Sequence, residues 1–174
     1  MKEKTMQWLQ LTETDLGLIW EKLEKFSDEK LNTQPQQGKW SVLQVLAHIW
    51  KSERIATVLI SKQLTAEKPL HQSKLSSVLK YALLRLTFFL GIKIKAPDAV
   101  ANPEPIQDRK KIMKDFEKVR AQLRVLIDKF PDSRIEEKVY KHPRLGPLNL
   151  SETLRFLYHH QLHHLQQIEK ILKQ

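Results

Sequence analysis

The chain has 174 residues, of which 41% are hydrophobic and 29% are charged, a balance that is ordinary for a soluble globular protein. This length suits one compact core, so we predict a single domain over residues 1–174. The sequence contains no cysteine, which excludes disulfides, thiolate metal ligands and a cysteine nucleophile from the chemistry of these residues.

The formal net charge of +10 raises the question of a nucleic-acid or anionic partner. Six Lys or Arg residues and no acid lie in segment 68–95, whereas acids and bases alternate elsewhere, which is typical of solvated helix faces. No helix-turn-helix, RNP or zinc-finger pattern accompanies this charge, so we predict no nucleic-acid partner.

The sequence also predicts no membrane span. Its most apolar run, residues 83–92, is about ten residues long, and a helix needs roughly 20 to cross a bilayer. The first residues lack the continuous apolar core of a secretory signal. We therefore expect a cytoplasmic protein without a membrane partner.

Composition and periodicity favour helices, because only 4 glycines are present and β-branched residues are scattered. Hydrophobic residues recur at helical spacing in five segments, taken here in chain order: residues 14–31, 41–64, 75–92, 106–130 and 151–174. Proline and glycine mark a loop at 32–39, a crossover around 97–105 and a turn-rich connection at 142–150. The economical assembly is an all-α four-helix bundle with an additional inserted helix.

The third predicted helix, residues 75–92, is apolar on more than one face. A helix of this kind is buried twice or covers a partner surface. We expect it to cover the bundle or a dimer interface. The alternative is that the basic and apolar stretch 75–95 binds an anionic membrane surface.

The histidines carry the strongest chemical signal. Near the C-terminus His159 is four residues from His163, and His160 is four residues from His164. This spacing places both rings of a pair on one helix face, as two ligands of one metal require. At about 100° per residue, the inner pair, His160 and His164, falls at the edge of the apolar stripe. The outer pair falls on the solvated side and is predicted to be ordinary surface histidine.

Two histidines make a weak metal site, so a third ligand has to come from another helix. His48 is the best candidate, because it holds a similar edge position on its own helix. His71 and His142 lie in a basic loop and beside a proline, and we predict that both are exposed. The alternative that spacing leaves open is that these are hydrogen-bonded structural histidines.

Three short motifs then occur in a specific order. Trp40 and Ser41 open the second predicted helix, His48 follows the serine by seven residues, and His160 and His164 form an H-x-x-x-H on the last helix. At these residues the sequence resembles the DinB superfamily, the metal-binding bundles that include the YfiT-like metal-dependent hydrolases. The matching segments are residues 38–53 and 154–171, and PRLGPLNLSE before the last helix is also similar to the family.

The resemblance implies an up-down-down-up bundle, a metal site formed by His48, His160 and His164, frequent homodimers and a cytoplasmic setting. Neutral imidazoles favour a transition metal, with Zn or Ni expected. Three protein ligands leave a coordination position open, where water can be acidified or a thiol held as thiolate.

Some members of the family transfer a low-molecular-weight thiol such as bacillithiol or mycothiol. We therefore expect a metal-dependent enzyme that acts on a small molecule by thiol transfer or hydrolysis. The alternative is a non-catalytic, metal-stabilised binding or stress-response module. Gln44, Glu53, Gln161 and Gln167 lie near the histidines in the sequence, and none of them is assigned as a general base.

Overall fold

The computed structural model describes residues 2–66, 103–104, 107–142 and 145–173. Within these ranges the chain forms five α-helices and one β-hairpin. The elements are α1 (Lys2–Leu23), α2 (Asp28–Asn32), α3 (Val42–Leu64), α4 (Arg109–Lys129), β1 (Lys138–His142), β2 (Gly146–Asn149) and α5 (Leu150–Leu172). None of these helices combines the length and the apolarity that a bilayer span requires. The predicted helix at 75–92, with its alternatives, and His71 lie outside the described residues.

The two helices that carry the candidate ligands begin at capping boxes. At the start of α3, Ser41 Oγ accepts a hydrogen bond from the Gln44 backbone N–H, and Gln44 Oε1 accepts one from the Ser41 backbone N–H. At the start of α5, Asn149 and Glu152 form the same reciprocal pair. The starts predicted for these two helices are therefore accurate to about a residue, although Asn149 rather than Ser151 is the cap of α5.

Both boundaries predicted for the first helix, residues 14–31, were wrong. α1 begins at the second residue, because its buried stripe continues toward the N-terminus through Thr5 and Thr12, which an apolar pattern does not reveal. It ends at Leu23. Ser27 then caps the separate short helix α2, and a new cap interrupts the continuous helix that the periodicity suggested.

The prediction of a turn-rich connection at residues 142–150 was also incomplete. Strands β1 and β2 pair in antiparallel fashion, with Tyr140 opposite Leu148 and His142 opposite Gly146. Gly146 has a φ of 74°, a conformation that glycine adopts without a steric penalty. The all-α prediction is therefore confirmed for the bundle, while the hairpin beside it was missed.

Three successive layers of core residues cross the four long helices, and each layer takes one residue from α1, α3, α4 and α5. With the residues given in the order α1, α3, α4 and α5, the first layer is Leu9, Ala56, Leu123 and Leu157. The second layer is Thr12, Glu53, Arg120 and Gln161, and the third is Leu16, Ile49, Phe116 and Leu165. From one layer to the next, residue numbers rise in α1 and α5 and fall in α3 and α4. The helices therefore run up, down, down and up, as the family resemblance implied.

The middle layer, named the polar layer here, consists of Thr12, Glu53, Arg120 and Gln161. Each of its four residues is at most 7% exposed. It divides the interior into two apolar clusters, one extending to the hairpin and the other to the first turns of α3. The helices α1 and α3 each pack against both α4 and α5, so this layer lies where all four helices meet.

Candidate metal centre

His48 lies in the N-terminal half of α3 and is buried in the protein interior. Residues 41–49 are all buried, and His48 itself is only 3% exposed. Trp40 precedes the helix cap, and its ring centroid lies 4.9 Å from that of His48. The capping box and this aromatic contact together hold the His48 ring in an apolar setting.

α5 turns His160 and His164 toward α3. Gln161 lies between them in sequence and is fully buried in the polar layer. At about 100° per residue, this places the two histidines on one flank of the core-facing line and Tyr158 on the other. Tyr158 contacts α1 through Trp8, and the two histidines face His48. The rotation of α5 thus directs the inner pair, not the outer pair, at α3.

The three rings form a close cluster, named the three-histidine cluster here. Nε2 of His48 lies 3.2 Å from Nε2 of His160. The centroids of the three rings are separated by 4.6 to 5.1 Å, and one nitrogen from each ring can be chosen so that all three lie within 4.8 Å of one another. Two ligand nitrogens on a tetrahedral zinc, each about 2.0–2.1 Å from the ion, are about 3.3 Å apart. The His48–His160 separation matches that value.

Burial keeps two rings of the cluster, His160 and His164, uncharged. The pKa of His160 lies well below its usual value, first because its ring is desolvated and then because the charged forms of His164 and His48 would repel a proton on it. The pKa of His164 falls to about 3, again through burial first and the charge of His48 second. At neutral pH both rings are therefore neutral, and each keeps a nitrogen lone pair that a metal can bind.

Gln167 orients one ring of the cluster. Its Oε1 lies 2.9 Å from Nδ1 of His164. An amide oxygen can only accept, so the proton of the neutral ring is on Nδ1 and the lone pair is on Nε2. Hydrogen bonds of this kind fix the tautomer and the ring orientation of histidine ligands in metal sites. Of the four polar side chains that the sequence left open, Gln167 is the one with this contact.

The other three have different roles. Gln44 closes the capping box of α3, and its Nε2 also donates to the carbonyl oxygens of Pro103 and Glu104 at 3.4 and 3.2 Å. Glu53 and Gln161 belong to the polar layer. Their side chains bind Arg120, so neither is available as a solvated general base.

Arg120 was not predicted as a residue of interest. It occupies a core position of α4 between Phe116 and Leu123, and it is 7% exposed. A charged side chain within an apolar stripe was the signal that could have revealed it. Its partners come from three other helices, and spacing along one helix could not have identified them.

The prediction that His142 is exposed was wrong. The hairpin holds it half-buried, with its ring centroid 4.4 Å from that of Phe156, which itself lies 5.6 Å from the His160 ring. Nδ1 of His142 accepts a hydrogen bond from the Leu145 backbone N–H at 2.9 Å. The strands that the sequence failed to predict thus bring a fourth imidazole close to the cluster, where its protonated form would repel a proton on His160 and so lower the pKa of His160.

His159 and His163 lie outside the three-histidine cluster. They are half-buried, however, and not on a solvated face as predicted. The ring of His159 lies 5.9 Å from that of Trp8, and the ring of His163 lies 5.1 Å from that of His164. Burial lowers the pKa of His163, with Lys170 as a second cause.

The fold and the cluster together define an up-down-down-up helical bundle with a candidate three-histidine centre. Residues 11–168 match the DinB superfamily, and the chain belongs to this family. Among its relatives is YuaE from Bacillus subtilis, which is 26% identical over 152 residues that span 87% of this chain and 89% of YuaE.

Solved structures share the architecture. YfiT from Bacillus subtilis, described as a probable metal-dependent hydrolase with an unusual four-helix bundle topology, matches with a TM-score of 0.62 and 18% identity over 99% of this chain and 88% of its own. TT2238, described as a four-helix bundle protein, matches with a TM-score of 0.61 and 16% identity over 98% of this chain and 99% of its own. At these identities the likeness establishes the fold alone.

The lowered pKa of His164 predicts that the metal-free protein loses stability in mild acid. An unfolded histidine titrates near 6.5, and folded His164 titrates at about 3, so between these values the unfolded chain binds a proton that the folded chain excludes. The stability is fully present above the unfolded pKa and falls as the pH drops toward 3. At about 1.4 kcal/mol per pH unit, His164 alone should lower the free energy of unfolding by about 2 kcal/mol between pH 7 and pH 5.

Urea denaturation at pH 7 and pH 5, with a chelator present, measures this loss. The variant His164→Gln cannot titrate at this position and should lose less stability than the wild type. The variant His159→Gln, on the other flank of α5, should keep the wild-type loss. Equal losses in the wild type and in His164→Gln would contradict the assignment.

Proposed function

We propose that this protein binds one divalent transition metal through His48, His160 and His164 and uses it in a metal-dependent enzymatic reaction. The observation that carries the proposal is the three-histidine cluster, with its ligand nitrogens within 4.8 Å of one another. Zn and Ni are the expected ions, because neutral imidazoles bind them far better than they bind Mg or Ca.

The chemistry of the donors fits such an ion. Desolvation keeps His160 and His164 neutral, which is the form that binds a metal. The contact from Gln167 leaves Nε2 of His164 as its ligand atom. Three imidazoles from two helices are also fewer ligands than a closed structural zinc site normally uses, and catalytic sites typically combine three protein ligands with an open position.

A metal held in this way can lower the pKa of a coordinated water or thiol toward neutrality. Around the site, the chain supplies apolar walls. Trp40 packs beside His48, and Phe156 lies beside His160. These rings limit the access of bulk water and strengthen electrostatic interactions within the site.

Hydrolysis is the first reaction class to consider, because YfiT, which shares the fold, is described as a probable metal-dependent hydrolase. Transfer of a low-molecular-weight thiol to an electrophile is the second. The chain contains no cysteine, so the thiol in such a reaction has to be a separate substrate. The proposal also includes a small-molecule substrate and a homodimer of this chain.

The first prediction of this proposal concerns metal content. Protein purified without a histidine tag should contain about one equivalent of Zn, Ni or a similar ion by mass spectrometry, and His160→Ala should lose it because one of three ligands is gone. His159→Ala is the matched control, since it removes the adjacent imidazole from outside the cluster and should keep the metal. Circular dichroism checks that both variants remain helical. A wild type that takes up no metal after reconstitution would refute the proposal.

The second prediction concerns Gln167. The variant Gln167→Leu removes the acceptor that fixes the His164 tautomer, so metal affinity should fall about 10- to 100-fold. Competition with a chromophoric chelator measures the dissociation constant. Gln166→Leu makes the same change at the neighbouring exposed position and should leave the affinity unaltered. Equal affinities in the two variants would exclude an orienting role for Gln167.

The third prediction concerns the reaction. Metal-loaded wild type should turn over either ester and amide substrates or a mixture of a small thiol and an electrophile, and both His48→Ala and His164→Ala should abolish that turnover together with the metal. Turnover that survives metal loss would refute a metal-dependent mechanism.

A different outcome would support the non-catalytic alternative. In that case azide and thiols would leave the spectrum of the cobalt-substituted protein unchanged, no turnover would be detected, and chelation would strongly lower the melting temperature. The metal would then serve as a structural link between α3 and α5.

A further inference from the structure

Arg120 of α4 is the centre of the polar layer. Its Nε and Nη2 donate to the two carboxylate oxygens of Glu53 on α3 at 3.2 and 2.9 Å. Nη2 also donates to Oε1 of Gln161 on α5 at 2.7 Å, and Nη1 donates to the backbone oxygen of Thr12 on α1 at 3.3 Å. One guanidinium therefore contacts all three of the other long helices.

The residues that Arg120 binds lie on the two helices that supply the candidate ligands. Glu53 lies five residues after His48 on α3, and Gln161 lies between His160 and His164 in the sequence of α5. A single atom, Nη2 of Arg120, donates to both Glu53 and Gln161. The relative position of α3 and α5 close to the three-histidine cluster is thus tied to one side chain.

This connection restricts both the sliding and the rotation of α5. A one-turn slip would move Gln161 by about 5.4 Å and break its bond to Arg120 in the core. A rotation would take the Gln161 amide away from both Arg120 and the Thr12 carbonyl, to which its Nε2 donates at 2.9 Å. An unmatched buried polar group is costly, so the polar layer favours one register, whereas apolar layers tolerate several.

A metal site needs that precision, because its ligands have to be held within about 0.5 Å of their productive positions. We propose that Arg120, acting through Glu53 and Gln161, is a positioning residue that aligns His48 of α3 with His160 and His164 of α5. The inference rests on the proposed metal site and assigns to the polar layer a role in ligand geometry beyond its role in folding.

The experiment replaces the charged and polar members of the layer with apolar residues of similar size, in the triple variant Glu53→Leu, Arg120→Met, Gln161→Leu. Replacing a whole buried ion-pair network in this way is often neutral or stabilising for folding, whereas removing one partner leaves an uncompensated charge. The triple variant therefore separates ligand positioning from stability.

Three measurements are made on the full chain: the urea midpoint, the affinity for Co²⁺ and the visible absorption spectrum of the Co²⁺-bound protein. The triple variant should keep the wild-type urea midpoint or exceed it. Its affinity for Co²⁺ should fall at least tenfold, and its visible absorption bands should change in position and intensity because the ligand geometry has changed. The double variant Glu13→Leu, Arg124→Met is the matched control, since it removes an exposed ion pair between α1 and α4 and should leave affinity and spectrum unchanged.

Wild-type affinity and spectrum in a folded triple variant would overturn the inference and leave the metal site standing. A wild type that binds no Co²⁺ would overturn both the metal site and the positioning role. If the triple variant fails to fold, Gln161→Leu decides the question, because it keeps the Glu53–Arg120 pair. A shifted spectrum with weaker binding in this variant supports the inference, and an unchanged spectrum with unchanged binding overturns it.

Discussion

A guanidinium buried among four helices is stable only if its charge and its donors are matched inside the protein, and this requirement organises the structure around Arg120. Removing a charged group from water costs several kcal/mol, which the attraction to Glu53 offsets only with good geometry and further hydrogen bonds. The Gln161 amide and the Thr12 carbonyl provide those bonds. Each acceptor is on a different helix, so the arrangement that satisfies Arg120 also fixes how the four helices are aligned.

The positive charge of Arg120 is compensated within the same layer and not by the candidate metal centre. Glu53 neutralises Arg120 within the layer. The causes that lower the pKa of His160 are burial and the surrounding histidines, and those that lower the pKa of His164 are burial and the charges of His48 and His163. We infer that the layer acts on the cluster through the positions of the helices. The polar layer, which contains an ion pair, and the three-histidine cluster are both buried. They can lie close together because the polar groups of each have partners of their own.

The sequence was sufficient for the parts of the fold that depend on local patterns. Ser41 predicted the start of α3 because a helix cap joins neighbours in the chain, and the four-residue spacing of His160 and His164 places their rings on one face by helical geometry alone. The hairpin around His142, the partners of Arg120 and the true start of α1 depend on contacts between distant segments. Such contacts leave little trace in periodicity, because a buried threonine or arginine reads as a surface residue until its partner is known.

The conditions that make His160 and His164 poor bases are the conditions that make them good ligands. Desolvation disfavours the protonated ring, so protons compete weakly for the nitrogen lone pairs of His160 and His164 at neutral pH. The binding energy of a metal would then offset the cost of holding polar rings in an apolar interior, where Trp40 contacts the ring of His48. Burial, alignment by the polar layer and tautomer control by Gln167 act on different properties of the ligands, namely their charge, their separation and the identity of the donor atom. A functional metal site requires all three, so the proposed site depends on the centre of the bundle as much as on the histidines themselves.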